Sequence, residues 1–186
     1  MRISHKHKFI FIHIPRNAGR SIIVALKEKY PDVRRLAWSH ARLKDVRRKV
    51  KLRNYWKVAV VRNPYERMVS LYCFLKQKKR FYETRKGKMK ESKDMPEFTE
   101  WLLNLGKKSH NIRTSDTPQY DWIRGYKVKI IRYENLVKDV KKIFGIKLTM
   151  THKTKHKHYR DYYDERSKAY IERVFKKDLK VFGYEF

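Results

Sequence analysis

The sequence predicts an α/β fold with a mostly parallel central sheet flanked by helices. Two observations predict it: short apolar runs of strand length, and segments of helical periodicity that alternate with them. The chain has 186 residues, 41% of them hydrophobic, and it shows no internal repeat or Pro- or Ser-rich linker. This length and composition suit one packed core, so we expect a single domain over residues 1–186.

Apolar runs rich in Ile, Val and Phe mark the predicted strands, because such runs suit strands that are buried on both faces. The first run contains Phe9, Phe11 and three isoleucines and ends before Pro15. The second is "YWKVAVVR", and the third is the shorter run in "YKVKIIRYENL". The predicted strands are, in order, Lys8–Ile14, a short strand within 32–40, Tyr55–Arg62 and Lys127–Arg132.

Apolar residues at helical spacing mark the predicted helices. Ser21 stands at the start of the first helix, which ends before Pro31, and Pro64 occupies the first turn of the third. Gly145 ends the helix after the last strand. The predicted helices span 21–30, 41–54, 63–79, 96–105 and 134–145, with one long helix within 161–186. Residues 76–94 are expected to form an exposed helix end and a mobile loop.

The charge of the chain points to an anionic partner. Lys and Arg number 49 against 19 Asp and Glu, a net charge of +30, which attracts polyanions without specifying a fold. Nucleic acid, an anionic membrane surface, and a phosphorylated or sulfated small molecule or glycan all fit. Cys73 is the only cysteine, and neither a signal peptide nor a membrane-spanning run is recognised. We therefore expect a cytoplasmic protein.

The stretch "KFIFIHIPRNAGRSIIVALKEKY" predicts an anion-binding corner. Ligands of open parallel sheets bind beyond the carboxyl ends of the strands, where a following helix aims free N–H groups and its dipole at one point. Gly19 allows unusual backbone angles and close approach, Arg16 and Arg20 add charge, and Ser21 adds a hydroxyl. The pattern lacks the second glycine and the lysine of a nucleotide-triphosphate loop, and an ordinary turn remains an alternative.

A second corner, "VAVVRNPYERMVSLY", repeats the arrangement of strand, polar turn and helix. It places Arg62 at a strand end and Ser70 eight positions later, roughly 12 Å away along an ideal helix. The reach of arginine makes a shared phosphate feasible. Either residue alone is common on protein surfaces, so the two corners together carry the hypothesis.

These two corners resemble the cofactor-binding motifs of the sulfotransferase superfamily that uses 3′-phosphoadenosine 5′-phosphosulfate. The pair "FIHIPRNAGRSI" and "VRNPYERMVSLY" is most similar to the carbohydrate sulfotransferase branch, a family 2-like branch. "IIRYENL" and the C-terminal segment from "KTKHKHYRDYYDE" onward resemble later parts of the same family. The resemblance implies a three-layer fold like that of P-loop NTPases, and sulfuryl transfer to an acceptor hydroxyl, expected on a carbohydrate.

The resemblance also implies roles for individual residues. Arg16 stands where the family usually has a lysine that stabilises the leaving group, so it is the expected catalytic cation. Ser70 with Arg62 would hold the 3′-phosphate, Tyr133 would approach the adenine, and Thr154 and Lys155 would lie in a late loop over the donor. The residues expected to hold the 5′-phosphosulfate are Arg16, Asn17, Ala18, Gly19, Arg20 and Ser21. No metal is required.

The acceptor hydroxyl needs a base, for which His40 in "WSHARL" is the candidate. Several carbohydrate sulfotransferases carry a histidine between the two cofactor motifs, and a neutral imidazole suits proton removal at neutral pH. A packing or surface histidine is the alternative at this position. The basic composition suggests a polyanionic glycan as acceptor. The competing function is a basic nucleic-acid-binding module without catalysis, and a nucleotide kinase is disfavoured because the P-loop residues are absent.

Overall fold

The structure is a computed structural model that describes residues 1–77, 95–105, 117–150 and 154–186, and the backbone of 80–82 and 89–91. The strands among these residues are β1 (Arg2–Ser4), β2 (Phe9–Ile12), β3 (Arg34–Arg35), β4 (Trp56–Val61), β5 (Arg80–Tyr82), β6 (Met89–Glu91) and β7 (Lys129–Arg132). The α-helices are α1 (Gly19–Lys29), α2 (Leu43–Val46), α3 (Pro64–Gln77), α4 (Phe98–Leu105), α5 (Leu136–Phe144), α6 (Glu165–Val174) and α7 (Lys176–Phe182).

The chain divides into two compact units by its internal contacts. Unit 1 comprises Met1–Arg62 and Gln119–Lys153, and unit 2 comprises Asn63–Pro118 and Thr154–Phe186. The expectation of a single domain over residues 1–186 remains a prediction. No helix among the described residues is long and apolar enough to cross a bilayer.

Unit 1 contains a five-stranded sheet in the order β3-β1-β2-β4-β7. The three strands β2, β4 and β7 pair in parallel, whereas β1 pairs antiparallel with both β2 and β3. The predicted α/β class with a parallel sheet centre is thereby confirmed. Because these three strands are parallel, their carboxyl ends lie at one edge of the sheet.

The central strands of unit 1 are buried on both faces, as predicted. One face contributes Phe9, Phe11, Val58, Val60 and Ile131 to a cluster that also contains apolar residues of α1 and α5. The alternating residues of β2 and β4 are buried too: Ile10, Ile12, Ala59 and Val61. This packing of helices against strands fixes the positions of the loops that follow β2 and β4.

Unit 1 differs from the prediction in its peripheral elements. The strand expected within 32–40 is the two-residue β3, in which both arginines are exposed, and the helix expected over 41–54 is the short α2 and a turn at Leu52–Asn54. The segment buries few side chains, among them Leu43, Val46 and Leu52. A helix over the whole segment would therefore have too little buried apolar surface to stabilise it. The sequence did not predict β1, which has three residues.

Unit 2 is built around α3, α4 and α6, and its core contains Tyr72, Phe98 and Ile171. Cys73 is buried in this core. The single long helix predicted near the C-terminus is wrong, because the backbone of buried Phe175 leaves helical geometry and separates α6 from α7. The backbone of β5 pairs antiparallel with that of β6. Apart from these strands and the end of α3, the mobile loop predicted over 76–94 lies outside the described residues.

Candidate functional site

The candidate site lies at the edge of the unit 1 sheet where the parallel strands end. A polar loop follows β2 and leads into α1, Arg62 follows β4, and Tyr133 follows β7. We call Arg16–Ser21, the end of that loop and the first residues of α1, the arginine loop. Its position agrees with the expectation that ligands of open α/β sheets bind beyond the carboxyl ends of strands.

The backbone of the arginine loop has a shape suited to anions. Arg16 and Ala18 have left-handed φ values of 68° and 55°, whereas Asn17 between them and Gly19 after them do not. An anion-binding nest is formed by alternating left- and right-handed residues, which turn successive N–H groups toward one concave side, and residues 16–19 have this alternation in the sign of φ. Left-handed φ at two residues other than glycine costs on the order of 1–3 kcal/mol each, so the surroundings must hold the loop in this shape.

The helix α1 begins within this loop, at Gly19. It has eleven residues, and its N-cap residue Ala18 makes no side-chain capping hydrogen bond. Its first turn carries no acidic residue, so no carboxylate of that turn competes with an anion. First-turn N–H groups lack partners within a helix, and the dipole adds partial positive charge there. Arg20 is exposed in this turn, and Ser21 is buried.

Gly19 is needed for close approach, which is one of its two expected roles. The left-handed backbone angles belong to Arg16 and Ala18, so the expectation of unusual angles at Gly19 is wrong. A Cβ added at Gly19 would lie 2.9 Å from Cγ of His13, and closer still to its Cδ2 and Nε2. The His13 ring therefore lies directly against the start of α1 and leaves no room for a side chain.

Asn17 and Arg62 are joined by a buried amide, that of Gln119. Asn17 Nδ2 donates to Val60 O and to Gln119 Oε1, both at 2.7 Å. Gln119 Oε1 also accepts from Arg62 N at 3.0 Å, and Gln119 Nε2 donates to Arg62 O at 2.8 Å. Asn17 and Gln119 are almost fully buried. The structure thus connects the loop after β2 with the residue after β4, two positions that the sequence only predicted to be neighbours.

The side chain of Arg62 lies between the arginine loop and Tyr133. Its Nη1 donates to the carbonyl of Arg16 at 3.3 Å, and its Cζ lies 4.0 Å from the centroid of the Tyr133 ring. A guanidinium at this distance from an aromatic ring gains from a cation–π interaction, which limits its orientations. Arg62 therefore contacts both Arg16 and Tyr133, the other two residues of this group that the sequence assigned to the donor.

His40 also reaches the loop that follows β2. Its Nδ1 lies 3.1 Å from the carbonyl oxygen of His13, and because a carbonyl only accepts, Nδ1 carries the proton. In the neutral ring, Nε2 then keeps the lone pair, as a general base requires. Trp122 Nε1 donates to the carbonyl of His40 at 3.2 Å, and the rings of His40 and His13 lie 4.6 Å apart.

His13 is held as a neutral imidazole. Burial, with the neighbouring His40 and the charges of Arg2 and Arg20, lowers the pKa of His13 to about 3. Its Nδ1 is buried and has no hydrogen-bond partner among the described residues. A neutral ring in contact with Gly19 can pack against α1 without adding a buried charge to the site.

The structure places the remaining predicted residues in unit 2. Ser70 is buried on α3, Thr154 is buried, and Lys155 is exposed, with its carbonyl accepting from Gln77 Nε2 at 3.0 Å. The contacts described above do not include these three residues. Their assignment to the donor remains a prediction.

Sequence reasoning missed His13, Gln119 and Trp122. His13 was not assigned to the site, and "PQYDW" was not interpreted at all. One available signal was Trp122, because a large aromatic residue in a polar segment usually packs against the core. Trp122 is fully buried in the structure. Among the described residues, no group of three or more His, Cys, Asp or Glu side chains could hold a metal ion.

The family model described as "Sulfotransferase family" matches residues 1–185, nearly the whole chain. The match is to the family 2 branch, whose fold is P-loop-like, and it supports sulfuryl transfer as the activity. Neither the curated proteins nor the solved structures give a significant match.

Proposed function

The chain belongs to the sulfotransferase family, and we propose that it transfers a sulfuryl group from 3′-phosphoadenosine 5′-phosphosulfate to a hydroxyl of a carbohydrate. The observation that carries the proposal is the contact of Arg62 with the arginine loop, through the carbonyl of Arg16 and through Gln119. A donor with phosphate groups at the 3′ and 5′ positions of its ribose requires two cationic corners close together.

The residues at the edge of the sheet fit such a donor. The N–H groups of the arginine loop suit the 5′-phosphosulfate, the guanidinium of Arg62 suits the 3′-phosphate, and the ring of Tyr133 suits contact with the base. Ser70, Thr154 and Lys155 are assigned to the donor by the resemblance alone. The donor supplies a sulfuryl group activated by its anhydride bond to phosphate.

Arg16 and His40 have different roles in the proposed reaction. Arg16 stabilises the negative charge that develops on the bridging oxygen as the S–O bond breaks, in the way that fixed cations act in phosphoryl transfer. His40 Nε2 accepts the proton of the acceptor hydroxyl while the hydroxyl oxygen bonds to sulfur. Arginine is a poor proton donor, so Arg16 acts on the leaving group by its charge alone.

Calorimetric titration with 3′-phosphoadenosine 5′-phosphate, the desulfated product, tests the donor assignment. We expect Arg62→Ala to weaken binding by about 10- to 100-fold, because hydrogen bonds to charged groups contribute about 1.5–3 kcal/mol. Arg53→Ala is the control, since it also removes one arginine charge but from an exposed position just before β4, at the opposite end of that strand. Equal affinities of both variants would contradict the assignment.

The acceptor is proposed as an acidic glycan because the chain carries a net charge of +30. Transfer of labelled sulfate across neutral glycans, acidic glycans, lipids and proteins tests this substrate class, and no transfer to acidic glycans would contradict it. Tight, steeply salt-dependent DNA binding without nucleotide affinity would instead favour the nucleic-acid-binding alternative. The cytoplasmic location remains a prediction from the sequence.

A further inference from the structure

The side chain of Gln119 makes the hydrogen bonds to the main chain of Arg62 that a neighbouring strand would otherwise make. β4 ends at Val61, whose register partner on β7 is Arg132. One residue later, the side-chain amide of Gln119 accepts from Arg62 N and donates to Arg62 O, which satisfies both main-chain groups in a buried position. A residue bound in this way has little freedom in φ and ψ, so its side chain leaves the sheet in one direction.

The same oxygen of Gln119 also binds the arginine loop. Gln119 Oε1 accepts from Asn17 Nδ2 as well as from Arg62 N. Asn17 lies between the two left-handed residues of the loop, Arg16 and Ala18, and its amide is held at a second point by Val60 O. Any shift of Gln119 would therefore move the loop and Arg62 together.

The turn that contains Gln119 reaches the candidate base as well. Gln119 begins a 3-10 helix that ends at Trp122, and Trp122 is fully buried. Its Nε1 donates to the carbonyl of His40, while Arg42 lies over its ring with Cζ 5.5 Å from the centroid. We call residues 119–122 the brace, because hydrogen bonds connect this turn to the loop after β2, to Arg62 and to His40.

We propose that the brace is a positioning element for the donor and that Gln119 is its central positioning residue. Gln119 fixes the distance between the N–H groups of the arginine loop and the guanidinium of Arg62. One donor can then bind the loop with its 5′-phosphosulfate and Arg62 with its 3′-phosphate. This inference rests on the proposed function for the identity of the donor. It assigns no contact between Gln119 and the donor itself.

The test compares three ligands by calorimetry: 3′-phosphoadenosine 5′-phosphate, adenosine 5′-phosphate and adenosine 3′-phosphate. The ratio of the dissociation constants of adenosine 5′-phosphate and the bisphosphate measures the benefit of the second phosphate. We expect Gln119→Leu to lower this ratio by about tenfold, because Arg62 loses its fixed main chain, and to change the affinity for each monophosphate far less. Amide exchange of Arg62 without ligand should become faster in the same variant.

Two further variants separate positioning from general loosening. Gln119→Asn keeps the amide on a side chain that is one methylene shorter and retains fewer of these hydrogen bonds, so its ratio of dissociation constants should fall between those of the parent and Gln119→Leu. It also replaces Gln119→Leu in the test if that variant does not fold. Ser4→Ala removes the buried hydroxyl that donates to Asp32 Oδ2 at 2.7 Å, near the amino end of β2 and far from the site. This control should leave the ratio unchanged.

The outcomes distinguish the two proposals. If the parent protein binds none of the three ligands, the proposed donor is wrong and the role of the brace falls with it. If the parent binds the bisphosphate but Gln119→Leu keeps the parental ratio, or weakens all three ligands equally, the donor assignment stands and the positioning role of Gln119 is overturned.

Discussion

Replacement of Gly19 by alanine tests the packing beneath the arginine loop. The added methyl group would lie 2.9 Å from Cγ of His13 and closer to two other atoms of the ring. The ring has little room to withdraw, since it lies 4.6 Å from the ring of His40 and is stacked on Phe11 at 6.4 Å. Either the ring or the start of α1 must therefore move.

The expected magnitude follows from overpacking. Forcing an extra methyl group into a packed site costs about 1–3 kcal/mol, which lowers the melting temperature of a chain of this size by about 2–12 °C. Gly19 lies in α1 with no left-handed φ, so alanine itself is compatible with the backbone there. Without the clash, the substitution should be neutral or stabilising by up to about 1 kcal/mol.

A double-mutant cycle with His13→Ala separates the cost of the clash with His13 from the intrinsic effect of alanine on α1. Gly19→Ala should destabilise the parent and have no destabilising effect in the His13→Ala background, giving an interaction energy of about 1–3 kcal/mol in urea unfolding. Donor-product affinity should fall with Gly19→Ala as well, because the N–H groups of the arginine loop shift. Equal destabilisation in both backgrounds would show that the His13 ring does not exclude a side chain at Gly19 and would refute the reasoning.

Three further predictions concern pH, catalysis and capping. The pKa of His13 is depressed to about 3, so between about pH 6 and pH 4 the unfolded state binds a proton that the folded state does not. As the pH drops through this range, the free energy of unfolding should fall by about 1.4 kcal/mol per pH unit more steeply in the parent than in His13→Asn. His40→Gln should lower kcat by about 10²- to 10⁴-fold with unchanged affinity for the desulfated donor, and a parental kcat would remove His40 from the mechanism. Asp164 caps α6 by accepting from Ser167 N at 2.8 Å, so Asp164→Ala should cost about 1 kcal/mol at pH 7. Because the hydrogen bonds from Ser167 lower the pKa of Asp164, thermal melts of the two proteins should converge only at acidic pH.

Much of the fold was predictable because each main strand or helix is indicated by a pattern of residues that are adjacent in the sequence. The runs that became β2 and β4 are continuous and apolar, and Gly145 ends α5 with a φ of 63°, as predicted. The peripheral elements were less predictable. β3 consists of two exposed arginines and β1 of three residues, and both depend on a neighbouring strand for their hydrogen bonds.

The candidate site, like the fold, was predictable only in part. Arg16, Arg62 and Tyr133 follow strand ends in the sequence, so their common edge could be inferred from parallel pairing. The left-handed backbone of Arg16 and Ala18 could not be inferred, because neither residue favours it locally. Nor could the contact of His13 with Gly19, since it requires the ring to turn back onto α1.

By itself, the sequence determined the two polar corners, because the residues that form a strand, its end and the next helix are contiguous. The tertiary structure alone decided how those corners are held together. Gln119 is 102 positions from Asn17 and 57 from Arg62, yet one amide binds both. Such contacts depend on which segments the sheet topology brings together, and no local periodicity encodes them.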